Sequence, residues 1–350
     1  MFQTDIHSDP KVHWRSVDIE KRIEIWNLFR QYYLPGGDAR FIHQAGGGQT
    51  PRNYRLSYSA PNGSDAYLFL QHSLGGTPES MLNRTLIADH LHACGVRVPQ
   101  VIPTCHGDTW IRRNGCWRMF EYIPGDYFSG TDDELTEAAV AVARMHIALR
   151  TFSMKEDIRQ IDDVIGSLDA VYWDDVSLLH RDNEFELMLH RRKSMIQESV
   201  IRVADILAGI PQMETIIHGD MHPHNFLFPK EGTPAIIDFG VACRADQRYD
   251  IAMACHRLCR LCIEKSGQPW QEALDTYARL FLAAYATVVP LCDTCVRTIP
   301  VFAEALLLRK MAYNFHLYIE GKKTADACLA QFQRFFGFLD EVREIAKVMA

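Results

Sequence analysis

The period of the hydrophobic positions changes along the chain. Residues 18–34 place Ile19, Ile23, Trp26 and Phe29 at helical spacing and run into Pro35-Gly36-Gly37, which predicts an amphipathic helix with a sharp stop. Residues 66–72 and 117–123 are short, dense in aromatic and aliphatic side chains, and read as strands; a helix is expected between them over 78–94, and Pro124-Gly125 breaks the second. Beyond 125 the pattern turns helical. Leu135, Ala138, Ala139, Val142, Met145 and Leu149 form one stripe over 134–149, and further helices are expected over 185–206, after Arg248-Tyr249-Asp250 through Cys262, and over 270–288, 299–318 and 325–348.

One stretch interrupts this helical part. Ile216-Ile217 suits a short buried strand, and Phe226-Leu227-Phe228 and Ala235-Ile236-Ile237 flank the turn composition Pro229-Lys230-Glu231-Gly232-Thr233-Pro234, so they read as a β-hairpin. Between them lies His218-Gly219-Asp220-Met221-His222-Pro223-His224-Asn225, kept out of regular helix by Pro223. Asp238 stands at the exit of the second hairpin strand, where chain geometry returns it beside Asn225. Hard cations such as Mg²⁺ take oxygen ligands, commonly one or two carboxylates together with substrate phosphates. A further carboxylate close to such a cation can orient a hydroxyl and accept its proton. His-x-Asp-x-x-x-x-Asn followed by Asp-Phe-Gly matches the division of labour in protein kinases, with Asp220 on the attacking hydroxyl and Asn225 and Asp238 on the metal.

These motifs, with Tyr249-Asp250-Ile251-Ala252 after them, resemble the aminoglycoside phosphotransferase and choline kinase family, kinase-like enzymes that phosphorylate small molecules. The resemblance implies an α+β, protein-kinase-like bilobal fold. It places an N-terminal nucleotide-binding lobe with an antiparallel sheet over 1–122 and a larger, mainly helical lobe with the catalytic loop and acceptor pocket over 123–350. It implies ATP as co-substrate, Mg²⁺ as cofactor, and a small hydroxylated metabolite as partner. The glycine run Gly46-Gly47-Gly48 lies between β-prone segments, where backbone amides can approach phosphates closely, and it lacks the lysine of a Walker loop. Glu121 and Ile123 fall at the expected hinge that pairs with adenine.

The strand 66–72 carries Gln71 where kinase-like enzymes have a phosphate-binding lysine. Leu70-Gln71-His72 with Met81-Leu82-Asn83 is similar to the N-acetylhexosamine 1-kinase branch, which makes Gln71 a nucleotide contact that hydrogen-bonds without charge. Arg52, Arg84 or His72 could supply the missing charge. Arg52-Asn53-Tyr54 and the run Ala305-Leu306-Leu307-Leu308-Arg309 also resemble the kinase-like homoserine kinases. The acceptor pocket is expected around helix 299–318, so His222, Arg309 and Asn314 are candidate acceptor contacts. Sugars, amino sugars, amino alcohols and hydroxy amino acids all remain open as acceptors.

Composition removes other classes. Hydrophobic residues make up 47% and charged residues 23%, an ordinary globular balance, and a net charge of −7 argues against general nucleic-acid binding. No apolar run of signal-peptide or membrane-spanning length is present, so a soluble, cytoplasmic protein is expected. Cys255, Cys259 and Cys262 share an apolar helical pattern and read as core, with Cys292 and Cys295 the other metal candidates. His146 reads as a packed structural histidine. Asp250 could cap its helix or, from the resemblance, brace the catalytic loop. A protein kinase is disfavoured because only residues 241–247 separate Asp-Phe-Gly from Arg248-Tyr249-Asp250. A regulatory pseudokinase is motivated by the absent lysine and opposed by the intact Asp220, Asn225 and Asp238.

Overall fold

The computed structural model describes residues 13–33, 39–45, 52–59, 65–74, 77–153 and 158–349. The strands in chain order are β1 (Trp14–Ser16), β2 (Ala39–Ala45), β3 (Arg52–Ser59), β4 (Asp65–Ser73), β5 (Val101–Ile102), β6 (Ile111–Arg112), β7 (Cys116–Glu121), β8 (Asp126–Tyr127), β9 (Glu214–Ile217), β10 (Phe226–Phe228), β11 (Ala235–Ile236) and β12 (Cys243–Asp246). The helices are α1 (Ile19–Tyr32), α2 (Pro78–Ala93), α3 (Asp132–Arg150), α4 (Ile161–Ile165), α5 (Glu184–Ala208), α6 (Arg248–Ser266), α7 (Trp270–Ala286), α8 (Asp293–Ile319) and α9 (Ala325–Met349). The chain divides into two compact units, Met1–Ser129 with Pro223–Asp238, and Gly130–His222 with Phe239–Ala350.

The first unit is built on an antiparallel sheet in the order β1-β2-β3-β4-β7-β5, with β6 also paired to β7. Its core sets Tyr54, Leu56 and Leu70 of the sheet and Trp117 and Met119 of β7 against α1. The stripe expected on α1 is displaced. Ile25, Leu28 and Phe29 face the core at i, i+3 and i+4, while Ile19 and Ile23 are exposed. Asp18 caps this helix by accepting from the Lys21 amide at 2.8 Å. Pro78 opens α2 behind a Thr77–Ser80 capping box. The predicted hairpin forms as β10 against β11, with Phe226 opposite Ile236, and β8 adds on the other side of β10. Gly125 is required there, because a Cβ would lie 2.8 Å from the Phe228 carbonyl oxygen.

The second unit is mainly helical. The predicted α3 stripe is buried as a whole, and α3 packs on α7 while α8 packs on α6 and α9. Thr131 caps α3, whose first turn carries Asp132, Asp133 and Glu134 at the positive end of the helix dipole. Trp173 stacks on Phe315 at 5.4 Å between ring centroids. A two-stranded antiparallel pair, β9 with β12, sits among the helices. The helix expected over 299–318 begins earlier, at Asp293, because Cys292 Sγ accepts from the Cys295 amide and closes the first turn, and Pro300 is carried inside. Cys255, Cys259 and Cys262 are buried in α6 as expected of core thiols, and burial raises the Cys259 and Cys262 thiols above their usual range. Among the described residues no cluster of three or more metal-ligating side chains occurs.

Candidate active site

The catalytic stretch is anchored from beneath. β9 delivers the chain to His218 and Gly219, and Asp250 of α6 accepts both of their amides, at 2.6 and 2.8 Å. This carboxylate therefore braces the loop; the capping alternative is not realised, since α6 begins at Arg248 and Asp250 faces the loop amides. Behind Asp250 lies His146, with Nε2 at 3.4 Å from Oδ2 and Nδ1 at 2.8 Å from the Tyr285 hydroxyl. His218, His146 and Asp250 are all buried, so each polar group in the chain needs the next one. Gly219 holds φ at 81°, and a Cβ there would meet the Val241 carbonyl oxygen at 2.8 Å. The Asp220 amide then donates to His218 Nδ1 at 3.2 Å.

The loop presents the Asp220 side chain, one-third exposed, to an ammonium and an imidazole of the same unit. Lys310 Nζ on α8 donates to Oδ1 at 2.8 Å, and His222 Nε2 lies 3.4 Å from Oδ2. Burial works to raise this carboxyl, but the Lys310 charge and then His222 override it and hold Asp220 well below the usual carboxylate range. An ionised carboxylate, reachable from solvent and held in orientation, is equipped to accept a proton.

In the first unit the hairpin register returns Asp238 to Asn225. The Ile237 amide donates to the Asn225 carbonyl at 2.9 Å, so the two side chains leave adjacent points of the backbone. Asn225 is buried, and Asp238 adopts a left-handed φ of 64°, a conformation costly for a side-chain-bearing residue and concentrated at functional sites. An amide oxygen and a carboxylate are the hard donors that Mg²⁺ takes, so this pair fits such a cation with phosphates completing the shell. His224, next to Asn225 in the chain, stacks on Tyr127 at 4.4 Å.

Of the remaining nucleotide candidates, Gln71 is buried on β4 with its side-chain oxygen accepting from Arg118 at 3.1 Å. Ile123 is buried and Glu121 exposed, with the Glu121 amide donating to the Gln100 carbonyl at 2.8 Å. Gly46, Gly47 and Gly48 lie outside the described residues.

The sequence model of the phosphotransferase enzyme family matches residues 42–288, well over half of the chain. The chain belongs to the phosphotransferase enzyme family. Among solved structures of similar fold, spectinomycin phosphotransferase APH(9)-Ia, in complex with ADP and spectinomycin, superposes with a TM-score of 0.66 at 14% identity, covering 93% of this chain and 98% of that one. The choline kinase LicA from Streptococcus pneumoniae gives 0.61 at 12% identity over 92% and 99% of the two chains. These likenesses bear out the α+β, kinase-like fold. Among curated relatives, a homoserine kinase of Phenylobacterium zucineum is 37% identical over 130 residues, 36% of this chain and 38% of that protein. The chain spans between 27% and 65% of the length of the first three relatives it matches. No described helix is long and apolar enough to cross a membrane.

Within this family member, the acceptor candidates Arg309 and Asn314 have partners in the helical unit. Arg309 binds the Asp162 carboxylate, the Gly166 carbonyl at 3.0 Å and the Tyr249 hydroxyl at 3.4 Å. Asn314, also buried, bonds the Lys310 carbonyl at 2.6 Å and Lys323 Nζ at 2.5 Å. Both hold the helical unit together. His222 does reach Asp220. The residue that sequence reasoning passed over is Lys310, and its signal was present: a cation after four apolar residues and Arg309, on the helix assigned to the acceptor pocket.

Proposed function

We propose that the protein is an ATP- and Mg²⁺-dependent kinase that moves the γ-phosphoryl group of ATP to a hydroxyl of a small metabolite. The observation that carries this reading is the ionised, oriented Asp220 carboxylate beside Lys310 and His222. Asp220 orients the acceptor hydroxyl and takes its proton late, as the new P–O bond forms and the bond to the departing ADP breaks. Asn225 and Asp238 would hold Mg²⁺, which neutralises phosphate charge. Asp250 keeps the His218–Gly219 amides fixed so that Asp220 does not wander, and much of the protein's contribution is positioning of this kind.

For the acceptor, a hydroxy amino acid is the first choice. Supporting it are the curated relatives, which are homoserine kinases, and the Lys310 ammonium beside Asp220, which can offset a substrate carboxylate near the catalytic one. The substitution of Gln71 for the strand lysine supports a second reading, a regulatory protein that binds nucleotide without turning it over.

The test is Mg·ATP-dependent phosphorylation across homoserine, choline, amino sugars, neutral sugars and aminoglycosides, read as ADP release and phosphorylated product. One strong acceptor is expected. Tight ATP binding with no ADP released for any acceptor would favour the regulatory reading.

A further inference from the structure

A buried arginine without enough partners stands beside the residue that replaced the strand lysine. Arg118 is in the middle of β7, between the buried Trp117 and Met119, and is itself only 6% exposed. It pairs in register with Gln71 of β4, and its Nη2 donates to the Gln71 side-chain oxygen at 3.1 Å. Its guanidinium carbon lies 4.8 Å from the centroid of the Phe120 ring. Nε and Nη1 are shut off from solvent and have no hydrogen-bond partner among the described residues. Buried guanidinium N–H groups are rarely left open, because each loses its water without replacement.

The charges around it are also unbalanced. Arg118 feels the like charge of Arg84 on α2 and the opposite charge of Asp238. The opposite charge that Arg118 feels is thus the carboxylate suited to Mg²⁺. Burial and Arg84 together pull the Arg118 guanidinium down to about 10, the direction expected of a cation that lacks its counter-charge. The structure asks for an anion with several acceptor oxygens, and a polyphosphate is one.

We propose that Arg118 binds the polyphosphate of the nucleotide, supplying from β7 the charge that β4 lacks, while Gln71 holds its guanidinium in orientation. The proposal rests on the nucleotide-dependent reading above. It differs from the three residues suggested by the sequence. His72 is engaged with the Asn114 carbonyl at 2.7 Å and stacks on Trp117, Arg52 is exposed, and Arg84 acts here as a neighbour of Arg118.

Binding of Mg·ATP, ADP and adenosine to the full chain tests it, with Arg118→Gln and Arg118→Met as variants. Each is expected to bind ATP about 10- to 100-fold more weakly, as for loss of one or two charge-assisted hydrogen bonds, with adenosine affinity unchanged. Arg118→Lys restores part of the ATP affinity. The Met variant keeps the test open if Gln does not fold, since it fills the space without bringing a polar group of its own to bury. Wild-type ATP affinity in either variant, or parallel loss of ATP and adenosine, overturns the proposal and leaves Arg118 a structural brace. Failure of the wild-type chain to bind ATP at all would instead sink the proposed function itself.

Discussion

Lys310 Nζ donates to Asp220 Oδ1 at 2.8 Å, joining the helix α8 to the loop that carries the proposed base. The ammonium lowers the carboxyl's proton affinity, so Asp220 stays ionised throughout the neutral range. Removing that charge raises the carboxyl. Lys310→Met is therefore expected to move the acid limb of kcat/KM to higher pH, and an unchanged limb would show that Lys310 does not tune Asp220. With an anionic acceptor KM should also rise, about tenfold or more for one lost charge-assisted contact.

Asp220→Asn keeps the shape of the side chain and removes its basicity. Turnover is expected to fall about 10²- to 10⁴-fold, with Mg·ATP binding measured by titration unaltered. A near-normal kcat would exclude Asp220 as the base.

Asp250 accepts the amides of His218 and Gly219 with a carboxylate that is 1% exposed. Asp250→Ala leaves both donors buried and unpaired, at about 1–3 kcal/mol each. A lowered unfolding midpoint with a larger fall in kcat than in nucleotide affinity is expected. Differential scanning calorimetry and steady-state kinetics report the two effects separately.

Gly219→Ala places a Cβ 2.8 Å from the Val241 oxygen at a positive φ of 81°. The strained backbone alone costs about 1–2 kcal/mol, and the clash adds to it. Denaturant unfolding should show a loss of at least that size. A neutral result would mean that the loop rebuilds around the methyl group.

Far from the loop, Glu341 on α9 binds His256 at 2.9 Å and the Arg260 guanidinium, both on α6 and all three buried. Burial works to raise the Glu341 carboxyl, and His256 with Arg260 bring it below its ordinary value. A depressed carboxyl contributes stability above its unfolded pKa of about 4.3, and that contribution is lost as pH falls through the folded value. Glu341→Gln should destabilise the fold at neutral pH, because it removes the carboxylate that His256 and Arg260 share, although Glu264 at 2.7 Å still pairs with Arg260. The difference from wild type should shrink as the pH is lowered below that range.

Much of the site could be read before any coordinates. His218-Gly219-Asp220, Asn225 and Asp238 carry their order and spacing in one local stretch, and the hairpin that returns Asp238 to Asn225 follows from alternating apolar strands around a Pro- and Gly-containing turn. The α3 stripe was equally legible, since its period belongs to one helix. Other features were decided only by tertiary structure. Which face of α1 is buried depended on the sheet against which it packs, so Ile25 and Leu28 were chosen over Ile19 and Ile23. Arg309 and Asn314 were read from the sequence as candidate acceptor contacts, and only the folded chain shows their partners at Asp162, Gly166 and Lys323. Lys310 meets Asp220 across 90 residues of sequence, and Arg118 meets Gln71 across 47. Local order in the chain determines backbone periods, turns and short motifs, because those interactions lie within a few residues. The partner of a charge is selected by packing between distant segments, and only the folded chain decides it.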